Sequence, residues 1–535
     1  MKKINQYKLL AGICALSFLS SCDYEDINTN PYEMTDEMGK MDGIAMGGPI
    51  LSMERHVVPV GTQADGTKYI NEYQTAYHLS ADLWSGYFSE NNNWDSGNNH
   101  MTYFLKDAWV SSTYKNSYTN VFAPWKEAKI ESEKNGDTNG FALAQILKIS
   151  AWVKTLETFG PIPYIHAGEM ALVIPFDSEE EVYDAMFSDL QNAITTLTPL
   201  AEQGGTVVAD FDAVYAGSAN KWVKYANSLM LRLAMRLRFV APEKAKQWAQ
   251  TALEHSVGVM EVKDDEAQMS VGAGYTFVSN IAYLAANYNE ARMCTSMYAY
   301  LAGYEDPRLS KYFSPSKTKG ALSAFDGETY APVPPGHVQG NDTYKEYSQP
   351  NMTSATPNYW MRASEVYFLR AEAALAWPEF GDAESLYKQG VQMSFEENGL
   401  SASEVDTYLA SGKKPVAVEI AGYSAPVPTQ ATTEFSGNNE EKLEKIMIQK
   451  WIALYPNGQE AWTEWRRTGY PKLNQVQINN GAGQGITKEK GIRRMVYPIS
   501  FSQSAEDKAN YDDAVSKLKD KMDKATSRLW WDTRN

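Results

Sequence analysis

Cysteine is nearly absent from this 535-residue chain; there are three, at positions 14, 22 and 294. Cys14 lies in an apolar leader and Cys22 at its end. Cys294 is then alone, which excludes an intrachain disulfide framework and leaves packing to hold the fold. Histidine is also scarce. The six, at 56, 78, 100, 166, 255 and 337, are scattered, and no H-E-x-x-H occurs, so the zinc-hydrolase pattern is missing. Neither G-x-S-x-G nor G-x-x-x-x-G-K appears, which removes the usual serine-hydrolase elbow and phosphate loop. The glycines at 272–274 and 481–485 lack the third glycine of a dinucleotide fingerprint and read as turns. Asn91, Asn93 and Asp95 alternate as in a calcium loop, but Thr102 stands at the twelfth position, where that loop needs glutamate. No metal site, catalytic residue or cofactor is assigned from these patterns. A paired-carboxylate glycosidase needs no sequence proximity between its two acids, so its absence does not follow from spacing.

Positive charge is in deficit. There are 49 lysines and arginines against 66 acids, a net charge of −17. Residues 1–21 hold three lysines and no acid, so the chain without them stands near −20. Nucleic acid is a poor partner for such a chain, because its binding needs clustered cations. The overall sign points to neutral or cationic ligands. Hydrophobic residues make up 43%, enough for a large core and too many for a disordered chain.

The N-terminus has the anatomy of a secretory signal peptide. Lys2, Lys3 and Lys8 precede an apolar core, Leu9 to Leu19. That core is too short to span a membrane, which takes about 20 apolar residues. Leu19-Ser20-Ser21-Cys22 resembles the bacterial lipobox, in which the cysteine is acylated and becomes the new first residue. Several acyl chains anchor firmly where one binds marginally. Asp23, Glu25 and Asp26 follow, and "NTNPY" turns the chain, since proline pushes Asn30 away from helical geometry.

The body is expected to be mainly α. Ala142, Ile146, Ile149, Val153 and Leu156 recur at helical spacing. So do Val182, Met186, Leu190, Ile194 and Leu197; Ala226, Leu229, Leu233 and Leu237; and Leu443, Ile446, Met447 and Leu454. Such stripes are helix faces that bury against neighbours. Gly160-Pro161 stops the first of these helices, and Ser178 with Glu181 forms a capping box for the next. A helix over 364–377, a break at Pro378 and Gly381, and a second helix from Asp382 resemble a tetratricopeptide hairpin.

Between the helices lie long stretches rich in Gly, Pro, Asn and Ser, at 84–120, 314–359 and 410–440 and in "INNGAGQGITKEKG". Loops this long in a compact protein are usually functional. The chain has 14 Trp and 33 Tyr, and some fall on these loops. A sugar ring has an apolar face that an aromatic covers and an equator of hydroxyls that amides pair with. On this ground the candidate ligand contacts are Trp94, then Trp84, Tyr87, Asn92, Asn93, Tyr330, Tyr344 and Tyr347.

Segments spread across the chain resemble one family. They are "CDYEDINTNPYE", "LETFGPIPY", "FDSEEEVYDAMFSDLQNAITTL", "YEDPRLSKYF", "MRASEVYFLRAEAAL", "EKIMIQKWIALYPNGQEAWTEWRRTGYP", "RRMVYPIS" and "RLWWD". In number and order they resemble the SusD/RagB outer-membrane lipoproteins of Bacteroidetes, in their second large subfamily. The resemblance implies a SusD-like fold with four tetratricopeptide-like helix pairs and a loop-rich irregular remainder. It implies residues 1–21 as signal peptide, 22–40 as a tether lipidated at Cys22, and 41–535 as a nutrient-binding domain. The acids after Cys22 resemble that group's surface-export signal. The implied role is a non-catalytic cell-surface lid over a SusC-like TonB-dependent transporter in the outer membrane. The nutrient is an oligosaccharide, with a peptide ligand or a surface glycoside hydrolase as the competing readings. The family motifs are scaffold, so they carry over no ligand residue.

Overall fold

The computed structural model describes residues 43–534 apart from Leu172. The signal peptide, Cys22 and the tether 22–40 lie outside the described residues.

Nine helices form the scaffold. They are α1 (Asn120–Asn135), α2 (Thr138–Phe159), α3 (Glu179–Glu202), α4 (Ala219–Arg236), α5 (Pro242–Leu253), α6 (Ala363–Ala376), α7 (Ala383–Glu397), α8 (Asn439–Leu454) and α9 (Gly458–Thr468). Sequence neighbours pack as four pairs, α1–α2, α3–α4, α6–α7 and α8–α9, with α5 laid against α4. The sequence signals place their ends. Gly160 caps α2 at φ +92°, a backbone conformation that suits glycine. Ser178 and Glu181 cap α3 reciprocally, and the Asp382 side chain accepts the Ser385 N–H at the start of α7. The apolar stripes are the buried faces, with Ile146, Ile149, Leu156, Val182, Met186 and Leu190 all inaccessible. The strands among the described residues are two to four residues long and pair only as two-stranded ribbons. One ribbon sets Phe88–Ser89 antiparallel to Arg292–Met293 and ties two distant loops together.

Residues 84–120, read as one loop, are not loop throughout. Asp107–Tyr114 is helical and buries Trp109, Val110, Thr113 and Tyr114. Its apolar positions are few and flanked by Ser and Thr, so the helical period was masked by composition.

Charged side chains also sit inside the scaffold. Arg467 of α9 makes two bonds of 2.7 Å to the Glu372 carboxylate of α6. Arg236 of α4 reaches Glu157 of α2 and Glu460 of α9, each at 2.7 Å, and also Glu464. Arg232 grips Glu365 through two bonds of 2.7 Å, Arg238 meets Glu372 at 3.0 Å and Lys450 meets Glu464 at 3.1 Å. The cations Arg232, Arg236, Arg238, Lys450 and Arg467 are thus matched one for one by Glu157, Glu365, Glu372, Glu460 and Glu464. Isolated, any of these charges would be costly in the interior; paired with opposite charge, they are tolerated.

Candidate ligand cleft

Helix α9 carries Trp462 and Trp465 three residues apart, and so on one face. Trp462 is fully buried and Trp465 half-buried. The Trp84 ring lies 4.9 Å from that of Trp462 and stacks on His100 at 5.5 Å, and its Nε1 donates to the His100 carbonyl at 2.9 Å. His100 is fully buried and its Nε2 accepts the Lys106 N–H at 3.0 Å. Burial holds its pKa down at about 3, so the ring is neutral. Tyr103 follows at φ +65°, a left-handed conformation that costs a bulky residue about 1–3 kcal/mol and clusters at functional sites.

The facing wall is the loop after α9. Its backbone is fastened by Gln477 N–H to the Pro335 carbonyl at 2.7 Å, Ile478 N–H to Gly336 at 2.9 Å and Asn480 N–H to Thr102 at 2.8 Å. Gly491, at φ +59°, lets this wall approach closely, since a Cβ there would stand 3.3 Å from both Trp465 and the Tyr103 hydroxyl. Between the walls is a cavity of about 950 Å³ lined by Trp84, Met101, Tyr103, Trp462, Trp465, Asn474, Gln475, Lys472, Lys488, Glu489, Lys490, Arg493 and Arg528, among others. Small-molecule pockets run to about 300–1,000 Å³, so the cleft has room for several sugar rings or a short peptide. Aromatic faces and side-chain amides share it, and Glu489 is the one carboxylate in its lining.

Of the residues singled out from sequence, Trp84 lines this cleft. Tyr87 and Tyr330 are 0 % exposed. The Tyr87 hydroxyl donates to the Trp451 carbonyl, and that of Tyr330 donates to Asp326 at 2.7 Å. Tyr344 is 2 % exposed, with His337 and Tyr347 edge-on at 4.6 and 4.8 Å. Tyr347 is half-buried. Asn92 donates to the Tyr288 carbonyl at 3.3 Å and to Glu290 at 3.2 Å. Asn93 donates to the Val338 carbonyl at 3.1 Å. Trp94 is half-buried, with its ring edge-on to Trp109 at 6.2 Å. It opens a tight turn in which Asp95 and Ser96 have φ of 48° and 53°. Asp95 pairs with Lys106, while Asn91 donates to the Asn289 carbonyl at 3.1 Å, so the alternating Asn91, Asn93 and Asp95 side chains face different partners. These asparagines knot three loops together beside the cleft, and Pro335–His337 runs from one region into the other.

Under the knot, His78, Glu90 and Glu290 stand within 4.8 Å of one another, the one such group among the described residues. Both ring nitrogens of His78 already face carboxylates, Nε2 on Glu90 at 2.7 Å and Nδ1 on Asp82 at 3.4 Å. Burial opposes charge on this ring, but Glu90 and Asp82 outweigh it and hold the pKa up at about 10. Burial, with Glu90 next to it, pushes Glu290 up to about 8. The arrangement is that of an imidazolium among carboxylates, one of which keeps its proton.

Sequence reasoning missed Trp465, Tyr103 and the lysines of the far wall. Trp465 lies in a segment that carried only the family resemblance, outside the loops that supplied the candidate aromatics. The signal that marks this wall is "TKEKG", a run of cations in a glycine-rich loop of an acidic chain.

A family model described as SusD-like, "Susd and RagB outer membrane lipoprotein", matches residues 26–532. The fold is also similar to solved structures. A chitin-binding SusD homolog from Flavobacterium johnsoniae is 34% identical with a TM-score of 0.83, covering 92% of this chain and 99% of that one. A SusD homolog from Bacteroides vulgatus is 32% identical with a TM-score of 0.82 over 92% and 99% of the two chains. One from Bacteroides ovatus is 30% identical with a TM-score of 0.82 over 92% and 100%. None of the curated proteins matches the chain.

Proposed function

The chain belongs to the SusD-like family of SusD and RagB outer membrane lipoproteins, and from that premise we propose that it captures oligosaccharides at the cell surface as the non-catalytic lid of a SusC-like TonB-dependent transporter. Cys22 is the proposed lipid anchor to the outer membrane and residues 22–40 the leash. No described helix is long and apolar enough to cross a membrane, which fits attachment by lipid.

The observation that carries the reading is the lining of the cleft. Trp84, Tyr103 and Trp465 offer aromatic surface, and Asn474 and Gln475 offer amides for hydroxyls. Glycoside hydrolysis takes two carboxyl groups about 5–9.5 Å apart across the bond that breaks, and the cleft lining holds Glu489 alone. Capture without cleavage is what this lining supports. The glycan-binding relative from Flavobacterium adds weight to sugar over peptide.

The test is calorimetry against a panel of oligosaccharides, with a reducing-end assay on the same mixtures. Binding without cleavage is expected, and Trp465→Ala should weaken it about tenfold or more, or about 1.4 kcal/mol. Release of new reducing ends would replace the lid by a hydrolase. Binding of peptide digests and of no glycan would replace the sugar by a peptide.

A further inference from the structure

The overall charge of −17 conceals a local surplus of the opposite sign in the cleft. Its lining holds Lys472, Lys488, Lys490, Arg493 and Arg528 against the single carboxylate of Glu489. Asp532 offsets one charge, bonding Arg493 Nε at 2.8 Å and standing 3.8 Å from Arg528. Beneath the floor, Arg466 is buried with its guanidinium 3.4 Å over the Trp462 ring. Its bonds run to the carbonyls of Glu157 and Arg493, at 2.7 and 2.9 Å, and to the Thr463 hydroxyl, and among the described residues it forms no ion pair. The buried Asp532 and Glu157 carboxylates act on its charge at a distance.

Two exposed lysines, Lys472 and Lys490, stand on the rim. Elsewhere some exposed lysines, such as Lys311 and Lys345, also form no ion pair among the described residues, and others do. Lys317 pairs with Glu328, Lys388 with Asp406, Lys413 with Glu305 and Lys508 with Asp512, each at 2.6 Å. Lys472 has a Tyr470 ring at 4.9 Å, and neither it nor Lys490 forms an ion pair among the described residues. Here the cations gather around one aromatic-floored cavity, where Asp532 answers Arg493 and the Gln477 carbonyl takes Lys488 at 2.6 Å, while Lys472 and Lys490 form no ion pair among the described residues.

We propose that the cleft selects acidic oligosaccharides, whose sugars carry carboxylate or sulfate groups, by stacking the rings on Trp465 and Tyr103 and meeting the anions with Lys472, Lys490 and the arginines. This rests on reading the cleft as a glycan site. Ammonium and guanidinium groups form charge-assisted bonds to both kinds of anion. A neutral sugar would take the same aromatic surface but leave the cations with water. Selection by the cleft thus runs against the preference that overall charge implies for neutral or cationic ligands, because binding responds to the nearby field and salt screens the distant one.

The experiment is calorimetry on the folded mature chain. The probes are tetragalacturonic acid for carboxylate and a chondroitin sulfate tetrasaccharide for sulfate. Maltotetraose and chitotetraose are the neutral controls, and a hexapeptide of Asp and Glu is the non-sugar control. At least one acidic tetrasaccharide should bind about tenfold more tightly than either neutral one, and the preference should shrink as salt is raised. The charge-removing pair Lys472→Gln with Lys490→Gln should abolish that tenfold advantage, with circular dichroism unchanged. Which acidic probe wins distinguishes carboxylate from sulfate recognition. Equal or tighter binding of the neutral sugars overturns this proposal and leaves the glycan reading standing. An acidic preference that survives the double substitution also overturns it, by placing the anion site elsewhere. Binding of the acidic peptide in preference to every sugar, or of no probe at all, brings down the glycan reading and this proposal with it.

Discussion

Helix α9 has two faces, and they handle charge in opposite ways. Glu460, Glu464 and Arg467 recur at intervals of four and three and face the scaffold, where Arg232, Arg236, Arg238, Lys450 and Arg467 each meet a carboxylate. Trp462 and Trp465 face the cleft, with Arg466 packed on Trp462 and lacking an ion pair among the described residues. On one side charge serves to fix helices against each other and is used up in doing so. On the other it is set beside aromatic surface and bonded to carbonyls in place of a carboxylate. A segment of eleven residues thus divides structure from recognition by which way each side chain points. The prediction is that substitutions on the two faces separate stability from affinity.

The largest effect should come from the scaffold face. Arg467→Met keeps the length of the side chain but strips two bonds from Glu372 and two from Glu464, leaving both carboxylates inside the protein. Breaking a buried pair by removing one partner costs about 3–5 kcal/mol. Urea unfolding should show a loss of that order, while the folded fraction keeps its affinity for sugar. A loss below about 1 kcal/mol would mean that solvent or a rearranged neighbour answers the stranded charges.

The apolar helix stripes of the scaffold were legible in the sequence, while the buried charges of α9 and the cleft were not, for a physical reason. Helix stripes such as Val182 to Leu197 repeat at the period of the structure they form, and caps such as Ser178 with Glu181 bond locally. The cleft is assembled from Trp84, Tyr103, Trp465 and Lys490, which share no period and meet only after hundreds of residues have packed. Loop composition found Trp84 because it borders an Asn-rich stretch. It also drew in Tyr87 and Tyr330, whose hydroxyls are bonded within the body. A loop position in the sequence does not fix exposure, because long loops in this fold are pinned by their own aromatics. Trp465 was missed because it lies outside those loops, in a segment that carried only the family resemblance.

A middle-sized effect sharpens the comparison by adding a charge on the cleft side. His100 lies under Trp84, fully buried and neutral, with its pKa lowered to about 3 from an ordinary value of 6.5 by burial. Below pH 6.5 the unfolded chain takes up a proton there that the folded chain refuses. The stability from this residue is therefore complete above about pH 6.5 and is lost as pH falls toward 3. At pH 5 the loss amounts to about 2 kcal/mol for this group alone. Melting temperature measured from pH 7 to 5 should fall more steeply in the native chain than in His100→Gln, whose amide oxygen still accepts the Lys106 N–H. Equal slopes would assign the acid sensitivity to other groups. Glu290, raised to about 8, works in the other direction. Its contribution is present below about pH 4.5 and is lost as pH rises through 8, so the two groups bracket an optimum between them.

The smallest effect expected is on Trp94, and it asks how far recognition extends past the cleft. Trp94 is half-buried at the start of a strained turn. Its indole N–H is buried without an acceptor among the described residues. The turn is tied to the cleft wall, since the Asn480 amide donates to the Gly97 carbonyl at 2.8 Å. A loop ring that forms no hydrogen bond with its N–H is a poor structural pin, because an unmade bond in the interior costs about 1–3 kcal/mol and offsets what the ring gains by packing. We therefore propose Trp94 as an outer stacking surface, with Asn92 and Asn93 holding the loop in register through their bonds to 288–290 and 338. Trp94→Ala should leave the helical spectrum and melting temperature nearly unchanged. It should weaken a long oligosaccharide about tenfold, or about 1.4 kcal/mol, and leave a disaccharide that fills only the cleft unaffected. Unchanged affinity for every chain length in a folded variant would confine recognition to the face of α9 and the wall opposite. Lost affinity together with lost helicity would show that the ring serves the fold after all.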